Sequence, residues 1–203
     1  MSDKHIMEQL ITLKGHSVYL KRLDVDMIDD LSDSLMDMSF ETKVLTTTAV
    51  IFNRSGIRNF VEGVIKDSSR IDFAIYSIEK NELVGDIALN DIDSRNMYCN
   101  IRVAIDNRKN YSKGYGREAM KLAMNYGFGM LNLNRIELDV LEVNSRAINV
   151  YEKLGFEREG LKRKACYYNY KYHNLVSMAC LREDFINIHE DCLADDLLNK
   201  ENN

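Results

Sequence analysis

Apolar residues recur along the chain with two different periods. In Ser17 to Arg22, Val18 and Leu20 alternate with polar neighbours, which predicts a first strand. Ile28, Leu31, Leu35 and Met38 then follow spacings of three and four, predicting a helix from an Asp24 cap to about Phe40. A second helix is expected from a Ser55 cap through Phe60, Val61, Val64 and Ile65. Three strand-like runs follow at 72–78, 83–92 and 97–105, joined by Glu79-Lys80-Asn81-Glu82 and Asp93-Ser94-Arg95-Asn96. Turns this short pair neighbouring strands antiparallel, so a meander is predicted.

The second half changes rhythm. Tyr115, Ala119, Leu122, Ala123, Tyr126 and Met130 mark a long helix over 114–131. Ile136, Leu138 and Val140 mark a strand over 135–141, and a helix over 145–154 stops at Gly155. Strands are expected over 156–167 and 172–181. Residues after Arg182 are acidic, with Glu183, Asp184, Glu190, Asp191, Asp195, Asp196 and Glu201 against one Lys200. Leu193, Leu197 and Leu198 are spaced for a short amphipathic helix, but a solvated tail is the favoured reading. The chain therefore divides into an extension (1–16), one mixed α/β domain (17–182) and an acidic tail (183–203).

Composition narrows the function classes. With 203 residues the chain is long enough for one domain with a real core. The net charge is −5, whereas a generic nucleic-acid coat is basic, so no nucleic-acid partner is expected. No run of 18 apolar residues exists and no membrane partner is expected. The first fifteen residues lack an apolar block behind a basic stretch, so no secretory signal is read. Cys99, Cys166, Cys180 and Cys192 form no CxxC pair, and His5, His16, His173 and His189 are scattered. Four reduced thiols, a cytoplasmic location and no metal follow as expectations. There is no proline, so turns rest on Gly, Asn, Asp and Ser.

The chemistry concentrates between the third meander strand and the long helix. Val103-Ala104-Ile105 run into the polar, basic loop Asp106-Asn107-Arg108-Lys109-Asn110-Tyr111-Ser112-Lys113, and Gly114-Tyr115-Gly116-Arg117 open the helix. The first N–H groups of a helix have no internal partner and carry partial positive charge. Glycines let a ligand approach that backbone, and Lys109, Lys113 and Arg117 add formal charge. This is an anion site suited to a phosphate or pyrophosphate. Gly114-Tyr115-Gly116-Arg117-Glu118-Ala119 also fits the dinucleotide fingerprint, with Glu137 or Asp139 about 20 residues on. A nucleotide-dependent oxidoreductase is nevertheless disfavoured. Eight residues separate Ile105 from Gly114, and hairpin-length turns replace crossover helices.

Tyr111-Ser112-Lys113-Gly114-Tyr115-Gly116 resembles the R/Q-x-x-G-x-G/A acetyl-CoA motif of GNAT N-acetyltransferases. Asn144-Ser145-Arg146-Ala147-Ile148-Asn149-Val150-Tyr151-Glu152-Lys153-Leu154-Gly155-Phe156 looks like their second signature, N-x-x-A-I-x-x-Y-E-K-L-G-F. The resemblance covers roughly 17–181 and is closest to the branch with spermidine and ribosomal-protein alanine N-acetyltransferases. It implies a GNAT-like fold, an α/β (α+β) domain with a central mixed, mostly antiparallel sheet of about seven strands flanked by four helices. It implies acetyl-CoA as cosubstrate and a primary amine as acceptor, either a small molecule or a protein N-terminus. A homodimer is common in families of this type.

The resemblance also implies residue roles. Val103, Ala104 and Ile105 would pair with pantetheine as an extra strand would. Lys109, Tyr111, Ser112, Lys113, Gly114, Tyr115, Gly116 and Arg117 would hold the pyrophosphate. Asn144 and Lys153 would lie on the cofactor side, and Tyr151 would protonate the leaving thiolate. Two positions depart from the family pattern. Tyr111 replaces an Arg or Gln, and a tyrosine supplies no cation to a phosphate, so Lys109, Lys113 or backbone groups must carry more of that binding. Asn100 stands where many relatives carry a glutamate base; Asp86, Asp91 and Asp93 are alternatives, though turn and strand-edge solvation is the favoured reading for them.

The base matters because the amine must be neutral to attack. A lysine-like amine of pKa about 10.4 costs roughly 4.6 kcal/mol to deprotonate at pH 7, an α-amino group only about 1. The stretch 39–69, which shapes the acceptor side in this family, holds Glu41, Glu62 and Asp67 against Lys43, Arg54, Arg58 and Lys66. That balance weighs against a polyamine site. A polyamine acetyltransferase and a non-catalytic acyl-CoA sensor remain the alternatives. Cys99 is read as a core thiol rather than an acyl carrier, having no base beside it.

Overall fold

A computed structural model describes residues 12–46 and 53–189. Strand β1 (Thr12–Lys14) pairs antiparallel with β2 (Val18–Arg22). Val18 and Leu20 are buried, as their alternation predicts. β1 falls in the stretch read as an extension. The Asp24 carboxylate accepts the Val25 N–H at 2.6 Å and opens a 3-10 turn (Val25–Met27), followed by α1 (Ile28–Met36).

The helix expected to reach Phe40 stops at Met36, and a separate α2 (Phe40–Leu45) begins after Ser39. Ser39 is extended, and its hydroxyl accepts the Thr42 N–H at 3.1 Å. A serine that satisfies the next helix's amide favours a cap over helix continuation. The cap of α3 (Arg54–Lys66) is Asn53 rather than Ser55. Asn53 Oδ1 accepts the Gly56 N–H at 2.8 Å, and the Ser55 hydroxyl donates to that same oxygen.

β3 (Ile71–Ser77), β4 (Leu83–Asp93) and β5 (Tyr98–Ile105) follow. α4 (Tyr115–Gly129), β6 (Arg135–Leu141), α5 (Ser145–Glu152), β7 (Glu157–Tyr168), β8 (Lys171–Leu181) and α6 (Arg182–Ile188) are the remaining elements of the described residues. The strand order is β1-β2-β3-β4-β5-β6-β8-β7. Among the described residues the mixed sheet has eight strands, against about seven expected, and six helices accompany it, against four expected.

The chain forms two compact units. One gathers the described residues up to Asn90 with Arg102–Leu122; the other holds Asp91–Ile101 and the described residues from Ala123. In the first, β1 to β4 form antiparallel ladders. Apolar faces of α1 and α3 cluster with Ala74 of β3 and Ala104 of β5, burying Leu31, Leu35, Ile57 and Val61. Removing such side chains from water is the main stabilising contribution, roughly 1.5–3 kcal/mol for each large one.

In the second unit, β5 pairs parallel with β6 over three residues, Tyr98 to Asn100 against Arg135 to Glu137. β8 pairs antiparallel with β6 and with β7. α6 is helical where a solvated tail was read from residue 183. Phe185 is buried against Phe128 at 5.3 Å between ring centroids, and the Arg182 guanidinium donates to the Leu133 carbonyl at 2.7 Å. Burial of one aromatic side chain decides this element, which a charge count misses. Leu193, Leu197, Leu198 and Cys192 lie outside the described residues. Among the described residues no helix is long and apolar enough to cross a membrane.

Candidate functional site

The predicted anion loop is built in the first unit. After β5, the Asn107 side chain accepts the Lys109 N–H at 3.1 Å and starts a 3-10 turn (Arg108–Asn110). Ser112 and Gly114 then take left-handed backbone conformations (φ +59° and +85°), and α4 begins at Tyr115. The bond from the Glu118 N–H to the Gly114 carbonyl, 3.0 Å, closes the first helical turn. The amides of Tyr115, Gly116 and Arg117 precede it, where a helix has no internal acceptor to offer. A Cβ on Gly114 would meet nothing within 4 Å, so space adjoins the backbone at the position where the dipole favours an anion.

Cations surround this opening. Lys109, Lys113 and Arg117 are exposed, and the Lys113 ammonium lies 5.7 Å from the Tyr115 ring centroid. Tyr115 is buried and its hydroxyl meets the Ser77 hydroxyl at 3.2 Å, so its side chain anchors the start of the helix. Glu118 would be a repulsive charge in the first turn. Instead its carboxylate accepts the Ser17 N–H at 3.0 Å, together with the Ser17 hydroxyl and the His16 N–H. Those donors tie the carboxylate to the β1–β2 turn.

Tyr111, which stands in place of the family's Arg or Gln, is a strut. Its hydroxyl bonds to the Thr42 hydroxyl of α2, and Thr42 is buried. The missing cation is therefore replaced by a tie between loop and helix. Val103, Ala104 and Ile105 lie beyond the three-residue parallel ladder of β5. On their other side β4 packs closely: the Asp106 N–H reaches the Val84 carbonyl at 3.1 Å, and a Cβ on Gly85 would collide with the Ala104 carbonyl. Gly85 is a requirement the sequence reading missed; a glycine inside an apolar strand was its signal.

The second signature lies in the second unit. The Asn144 side chain accepts the Ala147 N–H at 3.2 Å and caps α5, which occupies its oxygen and leaves its amide donors for other use. Tyr151 is half-buried, with its ring 5.9 Å from that of Phe156. Burial around the hydroxyl pushes its pKa up to about 12. The phenol is thus protonated across the physiological range, the form a proton donor needs. Lys153 is exposed at the C-cap of α5.

The carboxylates sort clearly. Asp93 accepts the Arg95 and Asn96 N–H groups at 2.8 Å each, and these bonds hold its pKa below the ordinary value; it is a turn residue. Asp86 is buried and paired with the Arg102 guanidinium; burial outweighs that partner and raises its pKa. Asp106, which the sequence reading passed over as part of the loop, is buried and bonded to the Ser34 hydroxyl of α1. Its only sequence signal is an acid directly after an apolar strand. Cys99 is buried and its thiol is pushed up to about 12, chiefly by burial. At neutral pH it is not the thiolate an acyl carrier requires.

The family model for the acetyltransferase (GNAT) domain matches residues 27–157. An N-acetyltransferase named p20 from Bacillus licheniformis is 37% identical over 91 residues, 45% of this chain and 51% of that protein. The spermidine N(1)-acetyltransferase of Escherichia coli (strain K12) is 38% identical over 78 residues, 38% of this chain and 42% of that one. The chain thus spans about half the length of these two relatives. The crystal structure of spermidine N-acetyltransferase from Vibrio cholerae in complex with CoA and spermine superposes with a TM-score of 0.77 at 20% identity, covering 84% of this chain and 99% of that one. Both signatures, the loop-to-helix anion site and the family match meet in one assignment: the chain belongs to the GNAT acetyltransferase family.

Proposed function

We propose that residues 17–182 transfer an acetyl group from acetyl-CoA to a primary amine by direct attack. The carrying observation is the anion site at the start of α4, where open space adjoins Gly114 and exposed Lys109, Lys113 and Arg117 supply charge. A coenzyme diphosphate suits it by charge and by the approach glycine permits. Val103, Ala104 and Ile105 would align pantetheine through backbone hydrogen bonds. Tyr151 would protonate the departing thiolate, its phenol kept neutral by burial. No covalent intermediate is invoked, and Cys99 takes no part. The reduced thiols Cys99, Cys166 and Cys180 fit a cytoplasmic setting.

A small-molecule amine is the favoured acceptor, because relatives are named spermidine N-acetyltransferases. The test is thiol release from acetyl-CoA against a panel of polyamines, simple alkylamines, amino acids and peptides with small N-terminal residues. Release with at least one amine is expected. Tight coenzyme A binding without release for any amine would replace the enzyme with an acyl-CoA sensor, and absence of coenzyme A binding would refute both.

A further inference from the structure

We propose that the β7–β8 hairpin of one copy of this chain docks on the outer face of α1 of a second copy, a basic and aromatic arm against an acidic and partly apolar helix. The inference goes beyond the acetyl-transfer reading and does not depend on it.

The arm belongs to the second unit. The β6–β8 ladder ends at Leu141 against Leu175, and beyond it β7 and β8 pair only with each other. A two-stranded ribbon by itself is marginally stable in water. Tyr167 and Tyr172 face each other on its exposed surface, and Tyr170 at the turn is 91% exposed. Tyr170 holds a left-handed backbone (φ +61°) in the turn between β7 and β8, a conformation that favours glycine. A large ring kept there gains no burial within its own chain, which points to a partner that covers it.

Charge selects the partner. Residues 160–181 include no carboxylate side chain, although the chain's net charge is −5, and Arg163, Lys164 and Lys171 are exposed. The arm therefore fits an acidic surface with room for aromatic rings.

The first unit presents such a surface. Six aspartates and no cation lie between residues 24 and 37. Asp26, Asp29, Asp30, Asp33 and Asp37 are exposed, while Ile28, Leu31 and Leu35 are buried on the other side of the helix. Lys21 pairs with Asp26, and Arg54 with Asp29 and Asp33, which leaves the face acidic. Val25 and Met36 are each about half exposed at its two ends and offer apolar contact to the tyrosines. The lengths match: Asp26 to Asp37 spans about 16 Å along a helix, and Leu175 to Tyr170 about 16 Å along a strand. Each chain carries both halves, so every copy can give an arm and receive one.

Sedimentation velocity over a concentration series tests the pairing. Wild type is compared with an arm variant (Arg163→Glu, Lys164→Glu, Lys171→Glu) and a face variant (Asp30→Lys, Asp33→Lys), with thermal melts of each. Wild type is expected to self-associate. Raising salt from about 0.1 M to about 1 M shortens the screening length from about 10 Å to about 3 Å and should weaken association about tenfold or more. Either variant alone should associate at least about tenfold more weakly, since like charges then meet. An equimolar mixture should recover association, because the acidic arm of one variant meets the basic face of the other. If the face variant melts early, Asp30→Asn with Asp33→Asn replaces it and should still weaken association. A monomeric wild type overturns the proposal, and its binding of a fluorescent oligouridylate, lost in the arm variant, would give the arm to a single-stranded nucleic acid instead. Variants that associate as wild type does, or a folded mixture that stays monomeric, overturn it as well.

Discussion

Tyr151 and Gly114 carry the two tasks of the proposed reaction, proton donation and anion binding, by opposite means. Tyr151 works through burial, which holds its pKa near 12. Tyr151→Phe removes the proton but little volume, so kcat should fall about tenfold or more with coenzyme A affinity unchanged. Steady-state kinetics beside a coenzyme A titration would show it; equal losses in kcat and affinity would assign the ring to binding. Gly114 works through an open backbone at φ +85°. Gly114→Ala meets no neighbouring atom, so its cost is the left-handed backbone alone, roughly 1–2 kcal/mol, or about 2–4 °C in Tm per kcal/mol. The added methyl would also enter the space offered to the diphosphate, and weaker coenzyme A binding should accompany the lower Tm. At this scale the motif residues were legible in the sequence because the types themselves are the chemistry. Asp106 was not, because an acid after a strand reads equally well as a loop residue until Ser34 is seen against it.

At the scale of elements, the loop before α4 is tied in two places. Glu118 fastens the helix start to the β1–β2 turn, and Tyr111 fastens the loop to α2. Tyr111→Phe should cost about 1 kcal/mol of stability, the ordinary worth of one hydrogen bond, with little change in coenzyme A affinity. Lys113→Ala should do the reverse, weakening coenzyme A severalfold and flattening the salt dependence of binding, since an exposed cation acts through screened charge. Thermal melts and titrations at two salt concentrations separate these outcomes. If Tyr111→Phe weakened binding as much as Lys113→Ala, the strut would have to be a ligand. Periodicity located most helices and strands, while their ends followed caps it does not encode. Ser39 breaks one expected helix, and Asn53 outcompetes Ser55 for another.

For the chain as a whole, stability should respond to the charge on Asp106. Its folded-state pKa is raised, so its contribution is fully present below the ordinary carboxylate pKa and lost as pH rises through the raised value. Asp106→Asn, which mimics the protonated form, should therefore gain Tm over wild type as pH rises through that raised value, and the gain should vanish toward pH 4. Melting curves across that range would check it, and a lower Tm at pH 7 would mean that the ionised carboxylate is structurally required.

The division between what was readable and what was not has a physical cause. Local chemistry is written in consecutive residues, so the alternation of β2 to β5 marks strands, and the Tyr111-to-Gly116 loop and the Asn144-to-Phe156 signature mark the family in the sequence itself. Partnerships between distant segments depend on which surfaces meet when apolar faces leave water, and no local spacing encodes them. Folding alone decided that Phe185 would be buried on a helix in an acidic stretch, that Tyr111 would find Thr42, and that Asp106 would be enclosed against Ser34.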